Sequence, residues 1–345
     1  MVGALMRRPT IVDIAKAAGV SKGAVSYALN GRPGVSDRTR ERILTIARDL
    51  GWVPNGPARA LAPGGLVGAV GMVVDRPASE LGAEPFLTRL VSGVESELTG
   101  SGVDLLLQIT ADAEAEAAAY RRWAAERRVD GVVVIGLRED DHRTGLMREL
   151  PLPAVVLGGP EGTEGLPCLW TDDATAMHEV VHYLAALGHR NAVQVAGPEH
   201  FRHTGVRAAA FAEAAREAGL ENAATVHADY TGDGGARATR RLLAHRDRPT
   251  ALVYDNDLMA VAGLGVAAEM GISVPDEISI VAWDDSILCR LVRPSLTAVS
   301  RDVEGSGVQV ARMLTRLVAG DRVRTTESTR GELVPRDSTG PLVEN

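Results

Sequence analysis

The chain has 345 residues, 45% of them hydrophobic, enough for two or three domains with cores of their own. Its net charge of −8 argues against nucleic acid, but residues 1–60 carry ten Lys and Arg against four acids, a head of +6 on a body of −14, which is the footprint of a nucleic-acid-binding module attached to something else. Two cysteines, Cys168 and Cys289, are too few for a disulfide framework, no apolar run reaches membrane-spanning length and no signal-peptide pattern is present, so a cytoplasmic protein with reduced thiols is expected.

Residues 10–30 read as two short helices joined by a tight turn. Thr10 followed by Asp13 is a capping-box start, and Ile11, Ile14, Ala15 and Ala18 recur on one helical face. Gly19 suits a left-handed break, Val20 can fill the angle between the helices, and Ser21 can cap the second. Val25 and Leu29 give that second helix a buried face and leave Lys22, Gly23, Ser26 and Tyr27 outward. The pattern is a helix-turn-helix, whose second helix enters the DNA major groove. A third amphipathic helix follows over 36–50, capped by Ser36.

Beyond Pro63-Gly64-Gly65 the pattern changes to alternating strands and helices, as parallel sheets covered on both faces require. Strands are expected near 67–74, 104–109, 131–135, 154–157, 192–195, 250–254, 278–283, 297–300 and 330–334. Helices are expected over 84–99, 111–126, 173–187, 206–218, 234–244, 257–270 and 303–318. Two βα series with a short returning tail predict two similar lobes and a cleft between them.

The ordered residues Asp13-Ile14-Ala15, Ala18-Gly19-Val20-Ser21, Val25-Ser26, Leu29-Asn30-Gly31, Val35-Ser36, Thr39-Arg40, Leu50-Gly51-Trp52, Pro54-Asn55 and Ala58-Arg59-Ala60-Leu61 resemble the LacI/GalR family of bacterial transcriptional regulators. The resemblance implies an α/β protein with an all-α helix-turn-helix head (1–56), a hinge helix and linker (57–64) and a two-lobed body (65–345) of the type I periplasmic-binding-protein fold. The N-lobe is expected at 65–168 and 297–328, the C-lobe at 169–294 and 329–345. The crossings between lobes are expected near 168–171, 294–297 and 328–330. No C-terminal heptad helix is left over, so a homodimer is expected.

By the resemblance, Lys22, Gly23 and Tyr27 stand where the family touches base edges. An Arg is usual at Tyr27, so the operator should differ from familiar ones. Thr10, Ser21, Ser26, Asn30, Ala58 and Arg59 are expected at phosphates or the minor groove, and Leu61 at the central base step as an apolar wedge. In the body, Arg207, Asn256 and Asp284 are expected to hold a hydroxyl-rich effector, with Asn256 and Asp284 at strand C-terminal ends, where open α/β sheets bind ligands. Phe201 and His203 lie in the loop before Arg207, and Phe86, Trp170, Tyr230 and Trp283 are expected to offer ring faces. Asp257 is expected to be a helix cap. Glu84 stands where the family commonly has Asn before Pro-Phe, so the effector, a sugar or else a nucleoside, cannot be read by analogy.

Enzyme chemistry finds no support in the motifs. Gly263-Leu264-Gly265-Val266-Ala267-Ala268 falls inside a helix and not at the strand-to-helix turn a dinucleotide fingerprint needs. His178 and His182 share a helical face, but no third ligand is legible beside them, and neither metal nor cofactor is expected. A solute-binding receptor would share the body fold but has no use for residues 7–61.

Overall fold

The computed structural model describes residues 9–29, 31–52, 65–76 and 84–342, and all statements of structure refer to these. They fall into two compact units divided between Val67 and Gly68.

The first unit is three helices: α1 (Ile11–Ala18), α2 (Lys22–Leu29) and α3 (Asp37–Asp49). Thr10 and Asp13 form the capping box at the start of α1, and Gly19 ends it at φ 64°, a left-handed conformation that costs glycine nothing. Ser21 Oγ accepts from the Ala24 N–H at 3.1 Å and opens α2. Ile14, Val25 and Ile43, one from each helix, are fully buried together and make the core. The expected hinge helix over residues 57–62 lies outside the described residues, as do Asn30, Ala58, Arg59 and Leu61.

The second unit holds two six-stranded sheets. The first runs in the order β11 (Thr326–Glu327), β5 (Cys168–Trp170), β4 (Ala154–Leu157), β3 (Gly131–Val134), β1 (Ala69–Asp75), β2 (Asp104–Thr110). The second runs β12 (Glu332–Val334), β10 (Thr297–Ser300), β9 (Ser279–Asp284), β8 (Ala251–Tyr254), β6 (Asn191–Ala196), β7 (Asn222–His227). All pairings are parallel except β10 with β12. Helices cover both faces: α4 (Pro85–Thr99), α5 (Ala113–Glu126), α6 (His142–Glu149) and α12 (Val303–Val318) around the first sheet. The second carries α7 (Asp173–Ala186), α8 (Arg202–Glu217), α9 (Gly232–Leu243), α10 (Asp257–Glu269) and the short α11 (Ile287–Leu291).

The structure differs from expectation at four points. Residues 297–300 do not open the returning N-lobe segment; β10 pairs with β9 in the second sheet, and the chain crosses at Arg301–Asp302. The first crossing likewise follows β5, which belongs to the first sheet. Strand β7 was not anticipated, because an edge strand of Ala, Thr and Asn buries little and shows no apolar signal. Helix α8 begins four residues earlier than its apolar pattern, at Arg202, because buried Phe201 anchors its start.

The first lobe is closed by a tight helix crossing. A Cβ built on Gly93 of α4 would lie 2.0 Å from the Glu304 carbonyl oxygen, and one on Gly307 of α12 2.4 Å from that of Leu90. Both obstacles are backbone and cannot swing away. Gly93→Ala should therefore destabilise the protein by about 1–3 kcal/mol, despite the roughly 1 kcal/mol that alanine gains in helix propensity. Thermal unfolding followed by circular dichroism checks this, and a variant as stable as the parent would contradict the close crossing.

Candidate functional site

In the helical unit, Lys22, Gly23 and Tyr27 are solvent-exposed along α2, with Tyr27 at 45%. Thr10 and Ser26 are half-buried and Ser21 is exposed; Thr10 and Ser21 stand at the starts of α1 and α2, and Ser26 lies within α2. The helix thus offers a cation, a bare backbone and an aromatic hydroxyl on one side.

In the body, a cavity of about 350 Å³ is lined by loops that leave the C-terminal ends of strands in both sheets, and its size falls in the range of small-molecule sites. Phe86, Trp170, Phe201, His203, Arg207, Tyr230, Asn256 and Asp284 all line it. Trp283 does not. It is fully buried in the core of the second lobe, and its ring supports Arg207, whose guanidinium carbon lies 4.4 Å from the ring centroid. Phe86 lies in the first turn of α4.

Arg207 is a buried cation of the cavity, fixed on two sides. Its Nε donates to Asp173 Oδ2 at 2.7 Å, and its Nη1 donates to the Asp255 carbonyl at 3.1 Å. Burial alone would raise the Asp173 carboxyl, but the guanidinium groups of Arg207 and Arg301 outweigh it and hold it below its ordinary value. Asp255 goes the other way. Its burial dominates over Arg207 and over bonds from Gln194 Nε2 (2.8 Å) and the Gly197 N–H (3.1 Å), so its carboxyl is raised.

Asn256 is the cap of α10: its Oδ1 accepts from the Met259 N–H at 2.9 Å and its Nδ2 donates to the Tyr230 carbonyl at 2.9 Å. The cap expected at Asp257 is therefore one residue earlier. Asp257 instead accepts from the Ser286 N–H, and burial pushes its carboxyl up to about 6. Asp284 accepts from Arg301 and holds a left-handed φ of 82°; Tyr230 is left-handed too, at 66°. Strained backbone at non-glycine residues, held by surrounding bonds, is characteristic of ligand sites.

The aromatic wall is continuous. His203 stacks on Phe201 at 5.4 Å and on Tyr230 at 6.1 Å, and Arg76 lies 5.0 Å from the Tyr230 ring centroid. Burial, followed by the field of Arg207, lowers His203 to a pKa of about 3, so the imidazole is neutral, with its Nε2 2.8 Å from the Tyr230 hydroxyl. Glu84, paired with Arg76 at 2.6 Å, is nonetheless pushed up to about 7 because desolvation outweighs the pairing.

Sequence reasoning missed Asp173, Asp255 and Arg301. Each directly follows the end of a strand or opens the helix after one, and that position was the available signal. The reading of His178 and His182 as lacking a third ligand is also corrected. Glu217, from the neighbouring helix α8, brings a carboxylate within 4.8 Å of the ligand atoms of both imidazoles. Among the described residues no helix is long and apolar enough to cross a membrane.

Residues 10–55 match the bacterial regulatory proteins of the lacI family, and residues 181–339 match the periplasmic binding protein-like domain. The HTH-type transcriptional regulator CelR of Thermobifida fusca is 33% identical over 94% of this chain and 95% of its own length. This chain belongs to the LacI family. Catabolite control protein A of Priestia megaterium is 28% identical over 91% of the chain and 94% of its own. Among solved structures, the lac repressor dimer bound to operator and the anti-inducer ONPF superposes with a TM-score of 0.84, at 25% identity over 97% of this chain and all of that one. A CelR–cellobiose complex superposes at 0.73, with 30% identity over 96% of this chain and all of that one. As a member of this family, the protein is a DNA-binding transcriptional regulator with an α/β body of the periplasmic-binding-protein kind.

Proposed function

We propose that this LacI-family regulator is a repressor that binds a palindromic operator as a dimer and changes its grip when a neutral sugar fills the cavity. The observation that carries the choice of ligand is charge balance. Every arginine lining the cavity already has an acid partner among the described residues: Arg76 with Glu84, Arg138 with Asp75, Arg143 with Asp141, Arg202 with Glu139, Arg207 with Asp173, and Arg301 with Asp284. A phosphate would meet no unpaired cation to balance its charge, whereas neutral sugar hydroxyls can bridge the remaining donors and acceptors. Phe86, Trp170 and Tyr230 supply ring faces for the apolar side of a pyranose. The similarity to a cellobiose-bound relative favours a disaccharide.

Calorimetric titration with cellobiose, maltose and their phosphorylated counterparts tests the reading. A neutral disaccharide is expected to bind at least roughly ten-fold more tightly than its phosphate, and the reverse order would refute the charge argument.

On the DNA side, Lys22 is the proposed donor to guanine and Tyr27 a contact to a thymine methyl or a base edge. Leu61 is the proposed wedge that kinks the operator. Leu61→Ala should weaken specific operator binding by roughly ten-fold or more while leaving salt-sensitive non-specific binding intact. Equal loss on operator and random DNA, read by fluorescence anisotropy, would remove the wedge role.

A further inference from the structure

We propose that His178, His182 and Glu217 form a binding site for a divalent transition-metal ion of the zinc class. His178 and His182 are four residues apart on α7 and so lie on one face, the spacing that lets two imidazoles share one ion. Helix α8 packs alongside and supplies the acids. Glu217 Oε2 lies 3.6 Å from His178 Nδ1, and Glu213 Oε2 lies 3.8 Å from His178 Nε2. These separations are too long for hydrogen bonds. The Glu217 separation is close to what a shared ion needs, since ligands about 2.0–2.1 Å from a tetrahedral zinc stand roughly 3.3 Å apart, whereas Glu213 faces the other ring nitrogen and cannot share an ion held at Nδ1.

One ligand atom each from His178, His182 and Glu217 lies within 4.8 Å of the other two. The remaining closure is a side-chain rotation, open to an exposed His182 and to a Glu217 side chain that is 43% accessible. Two imidazoles with one carboxylate favour zinc and its neighbours over calcium or magnesium, which prefer all-oxygen sites. The ion would pin α7 to α8, the two helices that also carry the Asp173–Arg207 pair.

The test uses the full-length protein without a histidine tag, stripped with EDTA and dialysed. Titration with zinc chloride is expected to saturate at one ion per chain, and cobalt chloride should develop visible ligand-field absorption. His182→Ala and Glu217→Gln should each weaken zinc by at least about ten-fold, because losing even the outer-shell support of a ligand costs about 10–100-fold. His245→Ala, an exposed histidine outside the cluster, should bind as the parent does. Zinc affinity weaker than about 1 mM, or affinity unchanged in His182→Ala, would overturn the site.

Discussion

Replacing Arg207 by alanine is expected to abolish the effector response and to destabilise the body by about 3–5 kcal/mol, the cost of stranding a buried charge. The side chain is 3% exposed and holds Asp173 and the Asp255 carbonyl at once. Its removal leaves the Asp173 carboxylate with Arg301 at 3.5 Å as its remaining cation, and empties the space over Trp283. Arg207→Lys separates the two effects. A lysine keeps the charge but loses the fork that reaches two acceptors in fixed geometry, so stability should largely return while sugar binding stays weakened. Operator affinity of the lysine variant without effector should equal that of the parent, because the buried charge opposite Asp173 is kept. A lysine variant that binds sugar normally would move the ligand away from Arg207.

The largest purely structural effect is expected at Arg143. It is 1% exposed, and its guanidinium serves Glu116 (2.6 Å), Asp141 (2.9 Å from Nε) and the Gly136 carbonyl (2.7 Å). Glu116 is itself fully buried and also accepts from the Tyr120 hydroxyl at 2.9 Å. Arg143→Met keeps much of the volume but leaves two carboxylates in low dielectric, and should cost about 3–5 kcal/mol. Because the arginine holds the Asp141 carboxyl below its ordinary value against burial, part of the parent's stability is present above that ordinary value and is lost as pH falls through the depressed one. In Arg143→Met this acid-side loss should shrink. Glu116→Gln added to Arg143→Met should recover stability relative to the single variant, as a shared network requires. Additive losses, measured by urea denaturation, would mean that Glu116 does not depend on Arg143.

The head was legible because its signals are local. The capping box at Thr10, the left-handed Gly19 and the Ser21 cap fix both helices within twelve residues, and each appears where the side-chain chemistry requires it. The cavity residues were legible wherever a parallel strand ends in a polar residue, as at Asn256 and Asp284. Within a strand buried on both faces, alternation carries no information about which way a ring points. All six positions of β9 are buried, and Trp283 turned into the core while its neighbour Asp284 emerged at the cavity. Pairings distant in sequence were not legible at all. Asp173 meets Arg207, and His178 meets Glu217, only because α7 and α8 pack side by side. The misplaced crossing at residues 294–297 has the same origin. A four-residue strand reads identically in either lobe until its partner, β9, is known.

The most direct test of the account is the anisotropy of a labelled operator half-site pair bound to the protein, titrated with neutral disaccharides and with sugar phosphates. The account predicts that a neutral disaccharide changes operator affinity in a saturable way in the parent protein, and that Arg207→Lys weakens this response without changing affinity in its absence. A response to the phosphates alone, or one that survives Arg207→Lys unchanged, would contradict it.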